Sequence, residues 1–494
     1  MLALAVGTVA FAARYAVTGA IENDHFVTFT RALQVLYGDW PVRDFDDPGF
    51  PLSYLVSTAA AAIFGPSLFV NVLLSIALLA LTSALSFLLA YRATGSIAAS
   101  LLAAAFTIAI YPRLYNAMKV IVPVVAIWLA WRYADAPSRT RLVAMALWSA
   151  VAFLLRHDYL LYVAAGNAVL LAMCHANAPR ELAARLAGYT ALTLLFVAPW
   201  LVYVQLFEGI SEYFASALRF VASEGRRTAS APLPRLFYAL TAVPVAGLVT
   251  SFRQSARLGR PHLAAASTML LALDLVFLRD VLAARVPDVI APTAVVAAAV
   301  AGYYLSPRAM KLVAAIGAGV VIAAIAVQVA RRSDPIVVPL EAADRVGQIT
   351  HRLRAVSADI IPNPSMAPLI AYLSECTNAD DRLFVAGFAP EIPALAHRAF
   401  AARLPSWLPG YYEDPADIDR AVARLRDERI GAAIFLDGTA TVAHSWPALM
   451  KAIRDRGFDE YDVTSIDSRI RVWLPHTASG ARRESGTGLP CPFR

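Results

Sequence analysis

The chain has 494 residues, 59% of them hydrophobic and 16% charged, with a formal net charge of +7 and a mean hydropathy of +0.58. Soluble domains carry roughly 25% charged residues, so this balance excludes an ordinary soluble globular protein and points to lipid as the solvent. The positive charge is scattered over many loops, mostly as Arg, without the basic face and aromatic platforms of a nucleic-acid binder; no nucleic-acid partner is expected.

The opening stretch MLALAVGTVAFAARYAVTGA has no basic n-region and no evident cleavage site, so it reads as an uncleaved first span. A hydrocarbon core takes roughly 20 helical residues. About eleven spans are predicted, at 1–20, 67–91, 95–111, 118–133, 142–156, 158–174, 186–206, 235–252, 262–278, 286–305 and 311–330. The fold class is therefore a polytopic α-helical membrane protein, with residues 1–330 as its transmembrane part. If the N-terminus is cytoplasmic, the inside loops hold Arg92, Arg132, Arg139, Arg141, Arg180, Arg185, Arg253, Arg257, Arg260, Arg308 and Lys311. Their only acids are Asp135 and Glu181. Short basic loops belong inside, which puts the N-terminus in the cytoplasm; the expected location is the cytoplasmic (inner) membrane. An odd number of spans then puts the C-terminal region on the extracytoplasmic side.

The first outer loop, 21–65, is dense in acids. Glu22 and Asp24 follow the first span at once, and Asp44, Asp46 and Asp47 precede Pro48. Between them Phe26–Tyr37 has helical spacing of apolar residues, which suits an amphipathic helix at the interface. Such a helix can return the chain so that the two acid groups approach each other. Carboxylates at a membrane surface can take a proton from an attacking hydroxyl or hold a divalent cation. They are also ordinary solvated turn residues and helix caps, and both readings stay open at this point.

A second set of polar residues marks the outer ends of spans. It comprises Arg113, Tyr115 and Lys119 in YPRLYNAMK, Arg156, His157 and Asp158 in LLRHDYLLY, and Arg279, Asp280 and Arg285 in FLRDVLAAR. Cations there can hold a phosphate or simply anchor a helix at the interface. Three consecutive polar groups at 156–158 are harder to assign to anchoring, since charge at membrane depth is costly unless paired. His25 and His157 are each solitary in sequence, so no metal is assigned.

From 331 to 475 strand-like runs (Arg382–Gly387, Ala432–Leu436, Ile470–Leu474) alternate with helical stretches (Ile418–Glu428, Ala448–Arg456), which predicts a small extracytoplasmic α/β domain. The tail, 476–494, is rich in Gly, Ser and Arg and is expected to be disordered. Cys376 and Cys491 can pair if this domain faces an oxidising compartment.

These features in this order resemble the type C glycosyltransferase (GT-C) superfamily, which includes protein O-mannosyltransferases and the lipid A aminoarabinose transferase. The resemblance rests on Asn23–Asp24 after the first span and on the amphipathic helix leading to Gly-Asp-Trp-Pro. It also rests on DFDDPGFPLSYL, on the LLRHDYLLY span start and on the stretch Glu375–Ala402. Asn23 stands where relatives often carry a first acid, and Pro48-Gly49-Phe50-Pro51 where many carry His-Pro-Pro. The resemblance implies a donor sugar linked through phosphate to a polyprenol, and transfer with inversion to an extracytoplasmic glycan, lipid or protein. It further implies Asp24 as general base, Asp44, Asp46 or Asp47 as positioning acceptor or a divalent cation, and Arg113, Lys119, Arg156, His157 and Arg279 around the leaving phosphate. Two other functions are weighed against it: a transporter or flippase of lipid-linked glycans, which should show internal repeats and mid-membrane polar groups, and a non-catalytic envelope assembly protein.

Overall fold

The computed structural model describes residues 1–110, 112–228, 235–253, 258–276, 285–332, 342–463, 466–476 and 483–491. Helix α1 (Leu2–Ala16) is followed by two helices within the acidic segment 21–65, α2 (Asn23–Leu36) and α3 (Pro51–Phe64). Then come α4 (Leu68–Thr94), α5 (Ile97–Ala109), α6 (Ala117–Asp135), α7 (Arg139–Leu155), α8 (Tyr159–Cys174), α9 (Pro179–Phe207), α10 (Ile210–Thr228), α11 (Arg235–Ser251), α12 (Arg260–Val276), α13 (Val286–Tyr304) and α14 (Pro307–Arg332). Each expected span thus falls on a helix. Among the described residues, four segments are by length and composition long and apolar enough to cross a membrane: Leu68–Thr94, Leu114–Asp135, Pro179–Phe207 and Val286–Tyr304. Helix α10 was not expected, because its polar face breaks up the apolar run that span reading relies on.

Local chemistry sets the helix ends. Ser67, Ser96 and Ser138 each cap a helix, accepting from the backbone N–H of Val70, Ala99 and Arg141. Gly95 ends α4 in the left-handed conformation at φ 64 and lets α5 turn back at once. Within the bundle α4 packs on α1, α5, α6 and α13, while α12 packs on α8 and α11. Small residues allow the close approaches: a Cβ on Gly166 of α8 would fall 2.8 Å from the Ala265 carbonyl oxygen of α12. Ser149 Oγ lies 2.5 Å from the Tyr189 hydroxyl, to which Asn167 donates at 3.1 Å, so α7, α8 and α9 are tied by buried polar groups.

The two ends of the bundle differ. At one end Asp135 pairs with Arg92 and lies 3.0 Å from His262, and Glu181 pairs with Arg185 at 3.1 Å. At the other end lie α2, α3 and the C-terminal region. There α15 (Ala342–Ala355) leans on α1 and α4, Arg345 donating to the Ala16 carbonyl at 2.9 Å.

The C-terminal region continues with α16 (Ala367–Cys376), β1 (Arg382–Ala386), α17 (Glu391–Leu395), β2 (Ala399–Phe400), α18 (Pro415–Asp427), β3 (Ile430–Phe435), α19 (Thr439–Ser445), α20 (Pro447–Arg454), β4 (Phe458–Asp462) and β5 (Arg471–Pro475). The sheet order is β2-β1-β3-β5-β4, with β1 parallel to β2 and β3, and β5 antiparallel to β3 and β4. Every residue of β3 is buried, whereas β4 is a half-exposed acidic edge, which is why the apolar runs marked the inner strands and not this one. The tail differs from expectation between 483 and 491. Cys491 is disulfide-bonded to Cys376 across 115 positions, Leu489 is buried, and Tyr372 donates to the Pro490 carbonyl at 2.6 Å.

Candidate active site

The first turn of α2 presents Asp24 at the end of the bundle that carries the C-terminal region. The helix forms because His25, Phe26, Phe29, Thr30 and Leu33 fall on buried faces, and the Ile21 N–H fixes its entry by donating to the Ile360 carbonyl at 2.7 Å. Asp24 itself is exposed, and a carboxylate in a helix's first turn is favoured by the macrodipole. Its neighbour His25 turns inward. Burial lowers its pKa to about 4 against a hydrogen bond with Asn71 of α4, so it is a neutral packing residue.

Around Asp24 the fold gathers cations from three separate elements. Tyr115, in the 3-10 turn before α6, hydrogen-bonds Asp24 and accepts from Arg113 at 2.7 Å, while Arg113 also pairs with Glu22 at 3.4 Å. Lys119, in the first turns of α6, stands 5.6 Å from the Tyr115 ring centre and lies among Arg156, Asp288, Arg285 and Asp24. Arg156, between α7 and α8, pairs with Asp158 at 2.8 Å and lies over the Tyr159 ring at 5.3 Å. Asp288, in the first turn of α13, accepts from Asn116 at 3.0 and 2.9 Å. Thus Arg113 and Lys119 lie near Asp24, and Arg156 lies near Lys119, while His157 is placed apart from them; Arg279 lies outside the described residues.

The other first-loop acids are placed elsewhere. Asp46 pairs with Arg403 at 2.7 Å. Asp44 pairs with Arg43 at 2.5 Å and Arg424 at 3.4 Å. Asp39, beside them, takes Arg382 at 2.6 Å and Arg424 at 2.9 Å. Three acids of the loop thus meet arginines of the C-terminal region. The backbone is constrained there: Val42 is held at φ 68 and Arg403 at φ 69, with the Arg403 guanidinium donating to the Val42 carbonyl at 3.0 Å. Asp47 is different again. It is buried, accepts from the N–H groups of Gly49 and Phe50 at 3.2 and 3.1 Å, and takes the Tyr213 hydroxyl at 2.5 Å.

His157 belongs to the Asp47 group. Its Nε2 is 3.2 Å from the Tyr213 hydroxyl, and its N–H donates to the Gly49 carbonyl at 3.1 Å. Burial lowers its pKa, opposed by Asp47 and Asp158, so the ring is neutral. With Ser53 donating to the Leu155 carbonyl at 3.0 Å, these bonds staple the Leu155–Asp158 turn to the first loop and thereby place Arg156. Tyr213 and Asp288 were missed as site residues. Helical spacing in ISEYFASALRFVASEG would have pointed to the first, and an acid in the opening turn of an apolar span to the second. Among the described residues no three His, Cys, Asp or Glu side chains group as a metal-ligand set.

The arrangement matches a known architecture. The structure aligns over 96% of this chain with 97% of the crystal structure of ArnT from Cupriavidus metallidurans bound to undecaprenyl phosphate, at a TM-score of 0.57 and 17% identity. The chain has a GT-C fold. An oligosaccharyltransferase from Archaeoglobus fulgidus, in complex with Zn and sulfate, aligns over 93% of this chain and 72% of its own at 12% identity and a TM-score of 0.43, too low to carry weight. No protein-family profile and no curated protein matches the sequence. In this fold the acidic first loop, the mixed cation cluster and the C-terminal region share one end of the bundle.

Proposed function

We propose that this protein transfers a sugar from a polyprenyl-phosphate donor to an extracytoplasmic acceptor, with inversion at the anomeric carbon. The observation that carries the reading is an exposed carboxylate, Asp24, near Arg113 and Lys119, with Arg156 and Arg285 on the far side of Lys119, at one end of an apolar bundle. The structurally similar ArnT is described as bound to undecaprenyl phosphate, a lipid of the chemical class such a cluster suits. The reading includes about eleven spans, a cytoplasmic N-terminus and an outward-facing C-terminal domain in the inner membrane.

In this mechanism the acceptor hydroxyl attacks the anomeric carbon from the face opposite the phosphate. Its proton passes to Asp24, the bond from the anomeric carbon to the phosphate oxygen breaks, and the phosphate leaves with the electron pair. Tyr115, hydrogen-bonded to Asp24, orients the base. Arg156 and Lys119 meet the charge that develops on the leaving phosphate, where fixed cations are most effective. Asp158 and Asp288 hold these cations in place, since charges at membrane depth need partners. Asp44 and Asp46 join the first loop to the C-terminal region, and Asp47 and His157 position Arg156.

Mass spectrometry of envelope glycans and lipid-linked sugars tests the reading. Cells carrying Asp24→Asn at matched membrane abundance should lose one sugar, or accumulate a polyprenyl-phosphate sugar, as fully as cells without the gene. A mutant that matches wild type while the deletion does not would remove Asp24 as base and return the transport and assembly readings.

A further inference from the structure

In the C-terminal sheet the chain leaves the carboxyl end of β1 towards β2 on one side. It leaves the carboxyl end of β3, the parallel neighbour of β1, towards β4 and β5 on the other. Neighbouring parallel strands whose connections diverge leave a crevice outside their carboxyl ends, where open α/β sheets take ligands. One rim is the turn 387–390 and the other the turn 436–438. Gly387 has φ +108, and a Cβ there would fall 2.8 Å from the Leu436 Cβ, so glycine is needed where the rims meet.

The residue this turn presents is Phe388, which is 39% exposed. Among the described residues from 342 onward, only Val346 is a comparably exposed large hydrophobic. On the opposite rim Asp437 is exposed, its carboxylate 3.7 Å from Arg469. The crevice adjoins the candidate active site. The Phe388 carbonyl accepts from the Asn23 side chain at 3.2 Å, and Asn23 immediately precedes Asp24; one helical face along, Thr30 donates to the Pro390 carbonyl at 2.6 Å.

We propose that this crevice is the acceptor subsite and takes an uncharged sugar ring. The ring's apolar C–H face stacks on Phe388, its hydroxyls bond Asp437, and one hydroxyl is directed to Asp24. An exposed aromatic ring on one rim and an exposed carboxylate on the facing rim suit a ligand with one apolar face and a polar edge. This inference rests on the transferase reading above: the bond formed joins the acceptor oxygen to the donor's anomeric carbon, the bond broken is the one to phosphate, and the proton goes to Asp24.

Two measurements test it. Full-length protein in detergent is applied to an array of neutral oligosaccharides, the same oligosaccharides on lipid tails, and Ser/Thr-rich peptides. Saccharide spots should bind, with the signal falling about tenfold in Phe388→Ala, the loss of one stacking contact, and kept in Phe388→Trp. Stronger binding of the lipid-tailed spots would mark a glycolipid as source, and equal binding a polymer, both in support. Binding to peptides instead, no binding to saccharides, or an unchanged Phe388→Ala would each overturn the proposal. In cells, loss of the envelope sugar in Asp24→Asn but not in Phe388→Ala overturns the crevice alone. Retention of the sugar in both overturns the transferase reading itself.

Discussion

The carboxylate of Asp46 and the guanidinium of Arg403 lie 2.7 Å apart although 357 positions separate them in the chain. Both are buried, and Arg403 also donates to the backbone carbonyls of Arg43 and Val42 at 3.1 and 3.0 Å. Removing one partner of a buried ion pair leaves an uncompensated charge and costs about 3–5 kcal/mol. Arg403→Met should therefore lower the melting temperature in detergent markedly, and the double variant Asp46→Leu/Arg403→Met should recover part of the loss. At a temperature where the double variant is folded, transfer should persist. Loss of transfer in fully folded double variant would return Asp46 to the chemistry.

Asp24 is exposed and belongs to no such joint, so its replacement should behave in the opposite way. Asp24→Asn should leave membrane abundance and melting temperature near wild type while transfer falls by about 10²–10⁴-fold, the usual range for a lost general base. Tyr115→Phe, which removes only the orienting hydroxyl, should fall by much less. A variant that unfolds together with its loss of activity would argue for a structural Asp24.

The contrast between these two aspartates shows what sequence could and could not supply. The bundle helices were legible because long apolar runs fold as helices, and α2 because its period is helical. Charges at the ends of apolar runs drew attention to Asp24, Arg113, Lys119 and Arg156, but only the family resemblance grouped them around a phosphate. The partners of Asp44, Asp46 and Asp47 were not legible, since local spacing gives no hint of Arg403, Arg424 or Tyr213 arriving from distant elements. Likewise β4 and α10 carry too many exposed polar residues for periodicity in apolar runs to mark them.

Lys119 lies in α6 and Arg156 in the turn between α7 and α8, yet they share Asp288 as a neighbour, so they should act together on phosphate. Native mass spectrometry with undecaprenyl phosphate as probe should show weaker retention for Arg156→Ala and for Lys119→Ala. The double variant should lose little more than the worse single one, as coupled sites do. Arg156→Lys should recover only part, because the ammonium cannot replace the planar fork that grips Asp158 at 2.8 and 2.9 Å. Full retention in either alanine variant would place the phosphate elsewhere.

The Cys376–Cys491 bond closes 115 positions, and a loop near that length is expected to contribute about 4–5 kcal/mol by restricting the unfolded chain. Cys491→Ser should therefore expose the C-terminal region to limited proteolysis while the helical bundle survives. In whole cells neither cysteine should react with maleimide until a reductant is added, as expected for an oxidising compartment. Prompt labelling without reductant would speak against the outward placement of this region.

Glu391 gives the stability a pH dependence whose sign is fixed. Its side chain is 1% exposed in α17, one oxygen has no hydrogen-bond partner, and burial pushes its pKa from 4.5 up to about 7. Between those values the folded protein holds a proton that the unfolded chain has released. The contribution of this group is therefore complete below about pH 4.5 and is lost as pH rises through about 7, with a slope of at most about 1.4 kcal/mol per pH unit. Glu391→Gln cannot release a proton, so its melting temperature should gain on wild type from pH 5 to 7.5 and keep a constant lead above that. Melting curves of the two proteins across pH 5–8.5 decide the matter, and parallel profiles would mean that Glu391 has a partner or water that keeps its pKa ordinary.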